Sequence, residues 1–424
     1  MQWIDWVIDL LIELELDLFK SMRRNLNRHR LEETREGFKW TQWQAIQQRN
    51  LRRYRRELSE QVNRTFDVVN PVIDKEIAQS FVDGAKTAND AMVDAYILQG
   101  KPVPWEYLPM AEAPKRPTYP VEVEIKPQLE IKPGIRTPKI TPGGVLDQTA
   151  QETIDIVLEP AGDRAFFDIN RPKIEVVLND VRRDMNMARY AAAQRAGALY
   201  SEIIHKADIA YQTGSYTLRQ AVEKATIEAA EKGLNCIEYS DGRRVNVASY
   251  VEMALRTSSR RAALTAEGAK RNQWGEYLVI SPTLASTCPT CLPWQGKVLI
   301  DDVFADGKPD GKHRLLSEAI KPPSHFLGPN CRHPLSTFFE GVSQIPTESD
   351  WDKTQSNYEA EEKQRYIERT IRKWKRREAA ALTPQEQMLT KSKIAEWNDR
   401  MRAHLSENPQ LRRNPERERL LDAS

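Results

Sequence analysis

The sequence predicts a predominantly helical α+β fold, and three observations carry that prediction. Apolar residues recur at helical spacing toward both ends of the chain. A dense proline run separates one helical region from the next. Short β-branched runs gather in the second half, beside three of the four cysteines. At 424 residues the chain is long for one domain. Composition divides it into a helical N-terminal region over 1–100, an extended linker over 101–148, an α+β core domain over 149–345 and a basic helical tail over 346–424.

Hydrophobic residues make up 40% of the chain, enough for a substantial core. Charged residues are 29%, but the two signs nearly cancel and leave +2. The surface as a whole is therefore no trap for nucleic acid, and any such contact has to come from local basic patches.

The opening segment MQWIDWVIDLLIELELDLFK is apolar, yet Asp5, Asp9, Glu13 and Asp17 fall at steps of four and make one acidic stripe along a helix. A membrane-spanning helix does not tolerate such a stripe. The basic start and small-residue cleavage site of a signal peptide are missing too. The predicted buried face is Trp3, Val7, Leu10, Leu14 and Leu18. Further along, the helical pattern continues, with a break expected at Asn70-Pro71 and an end at Gln99-Gly100. Within it, Arg49 to Arg56 reads RNLRRYRR. Arg52, Arg53, Arg55 and Arg56 are candidates for contact with DNA or a protein partner.

Ten prolines then fall between positions 102 and 142, and Gly143-Gly144 closes the run. Proline blocks helix and removes ladder donors, so this stretch is an extended linker with edge-strand pieces such as VEVEIK.

In the core domain a long helix is expected from Pro172 to about Ala210. The segment GSYTLRQAVEKATIEAAEKGL gives a second, with Thr217 as N-cap, Leu218, Ala221, Val222 and Ala225 inward, and Gly233 as its stop. CIEYSDGRRVNV reads as a hairpin about Asp241-Gly242. Ser249 is the expected cap of a third helix running past Arg260 and Arg261; Arg256, Arg260 and Arg261 form either a partner-facing basic face or a solvated one. EYLVIS, from Glu276 to Ser281, is a buried strand that delivers the chain to the cysteines. The tail returns to helix. Its segment KQRYIERTIRKWKRR, from Lys363 to Arg377, holds eight basic residues against one acid, Glu368. Arg372, Lys373, Lys375, Arg376 and Arg377 join the candidates for DNA or partner contact.

Chemistry gathers between Cys288 and His333. The four cysteines are too few for a disulfide scaffold, so reduced thiols are expected. Cys288-Pro-Thr-Cys291, His325 and Cys331-Arg-His333 hold three of four cysteines and two of the three histidines in this stretch; the third, His313, is a surface loop residue by its context. A C-x2-C turn sets two thiolates on one side of a metal, and a second short pair from a distant loop completes a tetrahedron. Cys288, Cys291, Cys331 and either His333 or His325 make a structural zinc site, since a full ligand set leaves no position open for water. Inert buried thiols and a redox C-x-x-C are the competing readings, and the βαβ context of the latter is missing. Trp294 is expected to pack over the knot, and Gly296 to allow the turn into a strand from Lys297 to Ile300.

Four blocks stand in order along the chain: CIEYSDGRRVNVASYVEMALRTSSRRA from Cys236, CPTCLPWQGKV from Cys288, GPNCRHPLSTFFEG from Gly328 and QRYIERTIRKWKRR from Gln364. With the Trp40/Trp43-Gln44 cluster, they make the sequence resemble the phage minor capsid protein 2 family, related to the Mu F-type head-morphogenesis proteins. The resemblance implies a structural, non-enzymatic protein, present in few copies inside the phage head near the portal and made in the bacterial cytoplasm. It implies the portal and/or major capsid protein as partners and a part in head assembly, with packaging or ejection of DNA as further roles. One departure is visible: the family pattern has a histidine just before Pro-Asn-Cys, where Gly328 stands here, and His325 lies three residues earlier.

Two other functions fit parts of the sequence. A metal-dependent, nuclease-like enzyme needs an open metal site and a general base, and would recruit Asp301, Asp302 and His313. The same aspartates read better as a turn or helix cap. A DNA-binding module packaged in the head would use the arginine-plus-aromatic runs RNLRRYRR and IRKWKRR, which a solvated helix face explains equally.

Overall fold

The amphipathic first segment forms helix α1 (Gln2–Arg30). The structure is a computed structural model, and it describes residues 2–30, 40–103, 155, 157–158, 163–213, 216–239, 242–324, 326–347, 350–414 and 418. Trp3, Val7, Leu14 and Leu18 are buried as expected, while Leu10 is half-buried. Ile4, Leu11, Glu15, Leu16 and Phe19 are buried as well. The face is wider than an amphipathic stripe because several helices cover it, chiefly α2 (Trp40–Leu98), α5 (Val247–Trp274) and α7 (Trp351–Ala380).

Helix α2 runs unbroken through Pro71, so the break expected at Asn70-Pro71 does not occur. An internal proline costs about 3 kcal/mol. Here its ring faces solvent, and Phe66, Val69, Ile73 and Ile77 continue one fully buried face across it. Burial of a single such side chain is worth about 1.5–3 kcal/mol, so the continuous face outweighs the defect. The same holds for α3 (Arg164–Gln212), which starts ahead of the expected Pro172. Asp163 caps it through Phe166 N–H, and Pro172 sits exposed inside it.

Local signals place the next elements well. Helix α4 (Leu218–Lys232) opens with Thr217 and Gln220 in a reciprocal capping box and stops at Gly233, whose φ of 59° suits glycine. Ala221, Val222 and Ala225 point inward. Strands β1 (Asn235–Glu238) and β2 (Arg244–Asn246) form the antiparallel hairpin. Helix α5 grows directly out of β2. Its cap is Asn246, accepting from Ala248 N–H, and the expected cap Ser249 lies inside the first turn.

The remaining strands are short: β3 (Leu278–Ile280), β4 (Val298–Ile300), β5 (Arg314–Leu315) and β6 (Ser336–Thr337). They form one sheet in the order β5-β4-β3-β6, antiparallel except for the β4–β5 pair. A one-turn helix, α6 (Leu316–Ile320), follows β5, and α7 and α8 (Pro384–Glu407) make a closing hairpin. One apolar core runs from Trp3 to Leu382 and unites α1 to α5 with the end of α7. A second core, built on Leu264, Val279, Leu299, Leu316, Phe326 and Leu335, joins the sheet to α5 and contains Cys291. Among the described residues no helix is long and apolar enough to cross a membrane. Nearly all of the proline-rich stretch, from residue 104 on, lies outside the described residues, as do the side chains of Trp40, Trp43 and Gln44.

Candidate metal centre

The sheet brings both cysteine loops to one end. Ile280 pairs with Val298 and with Ser336, so the chain leaving β3, the chain entering β4 and the chain entering β6 meet there. The loop from β3 to β4 contains the C-x2-C turn. Cys291 and Leu292 both donate their N–H to Cys288 O, at 3.1 and 3.2 Å, and the 3-10 turn Leu292–Trp294 leads back to the sheet. The loop into β6 holds the second half. Leu327 and Asn330 take positive φ there, and Cys331 N–H donates to Gly328 O at 3.0 Å.

Cys291, Cys331 and His333 come together, their ligand atoms all within 4.8 Å of one another. This cluster can hold a metal. Cys291 and His333 are buried, at 1% and 3% exposure, and Cys331 is half-buried. The Cys331 sulfur lies 3.3 Å from His333 Nδ1 and accepts Leu327 N–H at 3.2 Å. The Cys291 thiol donates toward Cys331, which pushes Cys291 up and holds Cys331 well below the usual thiol range; burial adds to the first, and His333 reinforces the second. Cys288, at the start of the same turn, is half-buried beside Cys291, with its sulfur 3.4 Å from Thr290 Oγ1. His325 lies outside the described residues.

A polar shell holds the ligands. His333 Nε2 is 3.1 Å from Gln295 Oε1, and that buried amide oxygen also accepts from Leu284 N–H and Thr287 Oγ1, each at 3.0 Å. Arg260 turns inward from α5 and donates to three successive carbonyls, Cys331 O at 2.8 Å, Arg332 O at 3.0 Å and His333 O at 2.7 Å. Of the two readings of Arg256, Arg260 and Arg261, a partner-facing basic face or a solvated one, neither holds for all three together. Arg260 is spent on the knot, Arg256 pairs with Glu252 and Asp5, and Arg261 reaches Asp180. Trp294 is half-buried beside the cysteines with the Arg314 guanidinium 4.1 Å from its ring, and Gly296 has the positive φ of 70° expected for a turn.

Asp301, Asp302 and His313 have structural employment. Asp301 is fully buried, 2.9 Å from Arg271 Nε, and accepts from Val303 and Phe304 N–H as a turn residue. Asp302 accepts from Ser317 N–H at the start of α6. His313 Nδ1 lies 2.6 Å from Asp310.

The two basic runs fare differently. Arg52, Arg53, Arg55 and Arg56 all lie exposed on α2; Arg53 stands beside Glu57 and Arg55 on Ser201. Their aromatic, Tyr54, is buried against Tyr200 at 4.4 Å. In α7 the run is turned onto its own chain. Arg377 pairs with Glu231 and Glu386, Arg376 with Glu15, and Lys373 with Glu231. Lys375 bonds Glu418 O, and burial lowers the Arg372 guanidinium.

The sequence singles out neither Gln295 nor Glu15. Gln295 stands inside the CPTCLPWQGKV block, but nothing in that block gives it a role by itself. Glu15, buried on α1, accepts from Leu234 N–H at 2.6 Å and Asn246 Nδ2 at 3.0 Å and meets Arg376, joining α1, the hairpin and α7.

Comparison with known proteins places this arrangement. The sequence profile described as Phage minor capsid protein 2 matches residues 171–406, which include the whole Cys/His cluster. A structural protein of Lactococcus phage LL-H is 26% identical over 247 residues, 57% of this chain and 66% of that protein's length. A structural protein of Lactococcus phage mv4 is 36% identical over 103 residues, 23% of this chain and 83% of that protein. No solved structure matches.

Proposed function

Since the chain belongs to the phage minor capsid protein 2 family, we propose that it is a structural component of a tailed-phage head whose sheet end is closed by one zinc ion. Its work is assembly: it sits inside the head near the portal, with the portal and/or major capsid protein as partners. The observation that carries this reading is the burial of Cys291, Cys331 and His333 where the second core joins the sheet to α5. A soft, borderline ion such as zinc suits two sulfurs and an imidazole. Cys288 is the fourth ligand nearest in sequence, and His325 the alternative. Bound there, zinc cross-links two loops that meet only in the folded chain, so its binding free energy adds to folding. With Cys288 or His325 as the fourth ligand the set is closed by protein, and a closed, buried set suits a structural ion better than a catalytic one. The nuclease-like alternative is disfavoured because Asp301, Asp302 and His313 each serve a turn, a helix start or a local pair.

The test is genetic. Particles purified from a phage with a nonsense mutation in this gene should be few, with heads that fail to mature or to retain DNA, and the protein should be found in wild-type particles after tail removal. Absence of the chain from purified wild-type particles would contradict the reading.

One observation favours an added contact with packaged DNA. Arg52, Arg53 and Arg56 are exposed on one helix. With Tyr54 buried, that contact is to phosphate alone, without base stacking. Binding to duplex DNA should then fall steeply with salt, and Arg52→Ala/Arg53→Ala/Arg56→Ala should flatten the slope. A salt-independent affinity would argue against it.

A further inference from the structure

How His333 would bind zinc is decided by the hydrogen bonds around Gln295. Leu284 N–H is a backbone donor that cannot reverse, and it points at a Gln295 amide atom 3.0 Å away. That atom must be the carbonyl oxygen, because the amide nitrogen would oppose donor to donor. The same oxygen lies 3.1 Å from His333 Nε2, so Nε2 has to carry a hydrogen and donate it. A neutral imidazole with Nε2–H has its one lone pair on Nδ1. Nδ1 is the nitrogen that faces Cys331 Sγ at 3.3 Å. The side chain that decides this is itself held: Gln295 is 5% exposed and also accepts from Thr287 Oγ1.

We propose that Gln295 is the positioning residue of the metal centre, fixing His333 so that it ligates through Nδ1 while Nε2–H stays on the Gln295 carbonyl. The proposal rests on the zinc reading and adds to it the ligating atom and the residue that selects it. Ligating histidines commonly donate their other ring N–H to an outer partner, and loss of that partner typically lowers metal affinity about 10–100-fold. Here the partner is an amide held by the C-x2-C loop, so the first half-site orients the ligand of the second.

The experiment uses the full-length chain with 15N-labelled histidine, six per molecule. Long-range 1H–15N spectra are recorded with and without added zinc, and the His333 signals are those lost in His333→Gln. The expected result is a protonated Nε2 in both states and a zinc-induced shift confined to Nδ1. In parallel, zinc affinity is measured by chelator competition. Gln295→Leu should bind about 10–100-fold more weakly with unchanged helical circular dichroism. Gln295→Glu, which keeps an acceptor, should restore most of the affinity. Zinc bound through Nε2 overturns the proposal, as does a folded Gln295→Leu that binds as tightly as wild type. If Gln295→Leu fails to fold, the wild-type spectra decide. A wild-type chain that takes up no zinc overturns the metal reading and the proposal with it, whereas uptake through Nε2 overturns the proposal alone.

Discussion

Arg260 spans three consecutive carbonyls with one planar guanidinium, and this is what holds the Cys331-Arg-His333 turn in shape. A lysine has a point charge on a thinner stem and cannot reproduce that fork. Arg260→Lys should lower stability by about 2 kcal/mol, since each bond from a charged donor contributes about 1.5–3 kcal/mol and the lysine keeps part of the set. Urea unfolding with zinc present checks this; an unchanged midpoint would show that the fork does not hold the turn. A second residue, Glu267, sets a pH dependence. Burial pushes its carboxyl up from 4.5 to about 7, against the pull of Arg271 at 3.6 Å. The folded state therefore holds this proton between pH 4.5 and 7 where the unfolded state has released it, and stability falls as pH rises through that window. Glu267→Gln should remove most of that fall, up to about 3 kcal/mol, as measured by unfolding at about pH 5 and about pH 8, on either side of most of the change. A wild-type stability that rises across the window would contradict it. At this scale the sequence was legible where chemistry is local. The C-x2-C and C-x-H spacings pointed to the cluster. Gln295, Arg260 and Glu15 were not legible as partners, because a lone polar residue acquires its role only from what the fold brings against it.

Among the helices, α2 and α5 pack so closely that a Cβ on Gly84 would lie 2.5 Å from Ala263 O. Alanine in a helix gains about 1 kcal/mol over glycine, but here the opposing atom is backbone and cannot swing aside. Gly84→Ala should therefore be a net loss of about 1–2 kcal/mol, the overpacking cost exceeding the propensity gain. A thermal melt that rises on substitution would show that the two helices can move apart at little cost. Helix ends follow the same logic of local against distant causes. The Thr217 capping box, the Gly233 stop and the hairpin are written in neighbouring residues and were readable. The unbroken run through Pro71 and the early start of α3 ahead of Pro172 were not, because the buried faces that carry α2 and α3 through those prolines are completed by other helices. The cap of α5 shifted from Ser249 to Asn246 for a similar reason: β2 feeds straight into the helix, so the last strand residue caps it.

Across the whole molecule, helices from both sides of the proline-rich stretch share one core, and Glu15 and Arg376 tie the first helix to α7. The basic run of α7 is spent on that internal fastening, while the run on α2 faces outward. Sequence alone could not separate the two, since both read as arginine mixed with an aromatic. The second core is smaller and is built around short strands of two or three residues. Such strands bury little surface by themselves, so a metal cross-link at their common end has much to contribute. The most direct test is the metal content of the reduced, chelator-free protein beside Cys331→Ser, with a thermal melt of each. A structural site predicts about one zinc per wild-type chain, absent from the variant together with a lowered melting temperature. Equal zinc content in the two proteins, or none in the wild type, would contradict it.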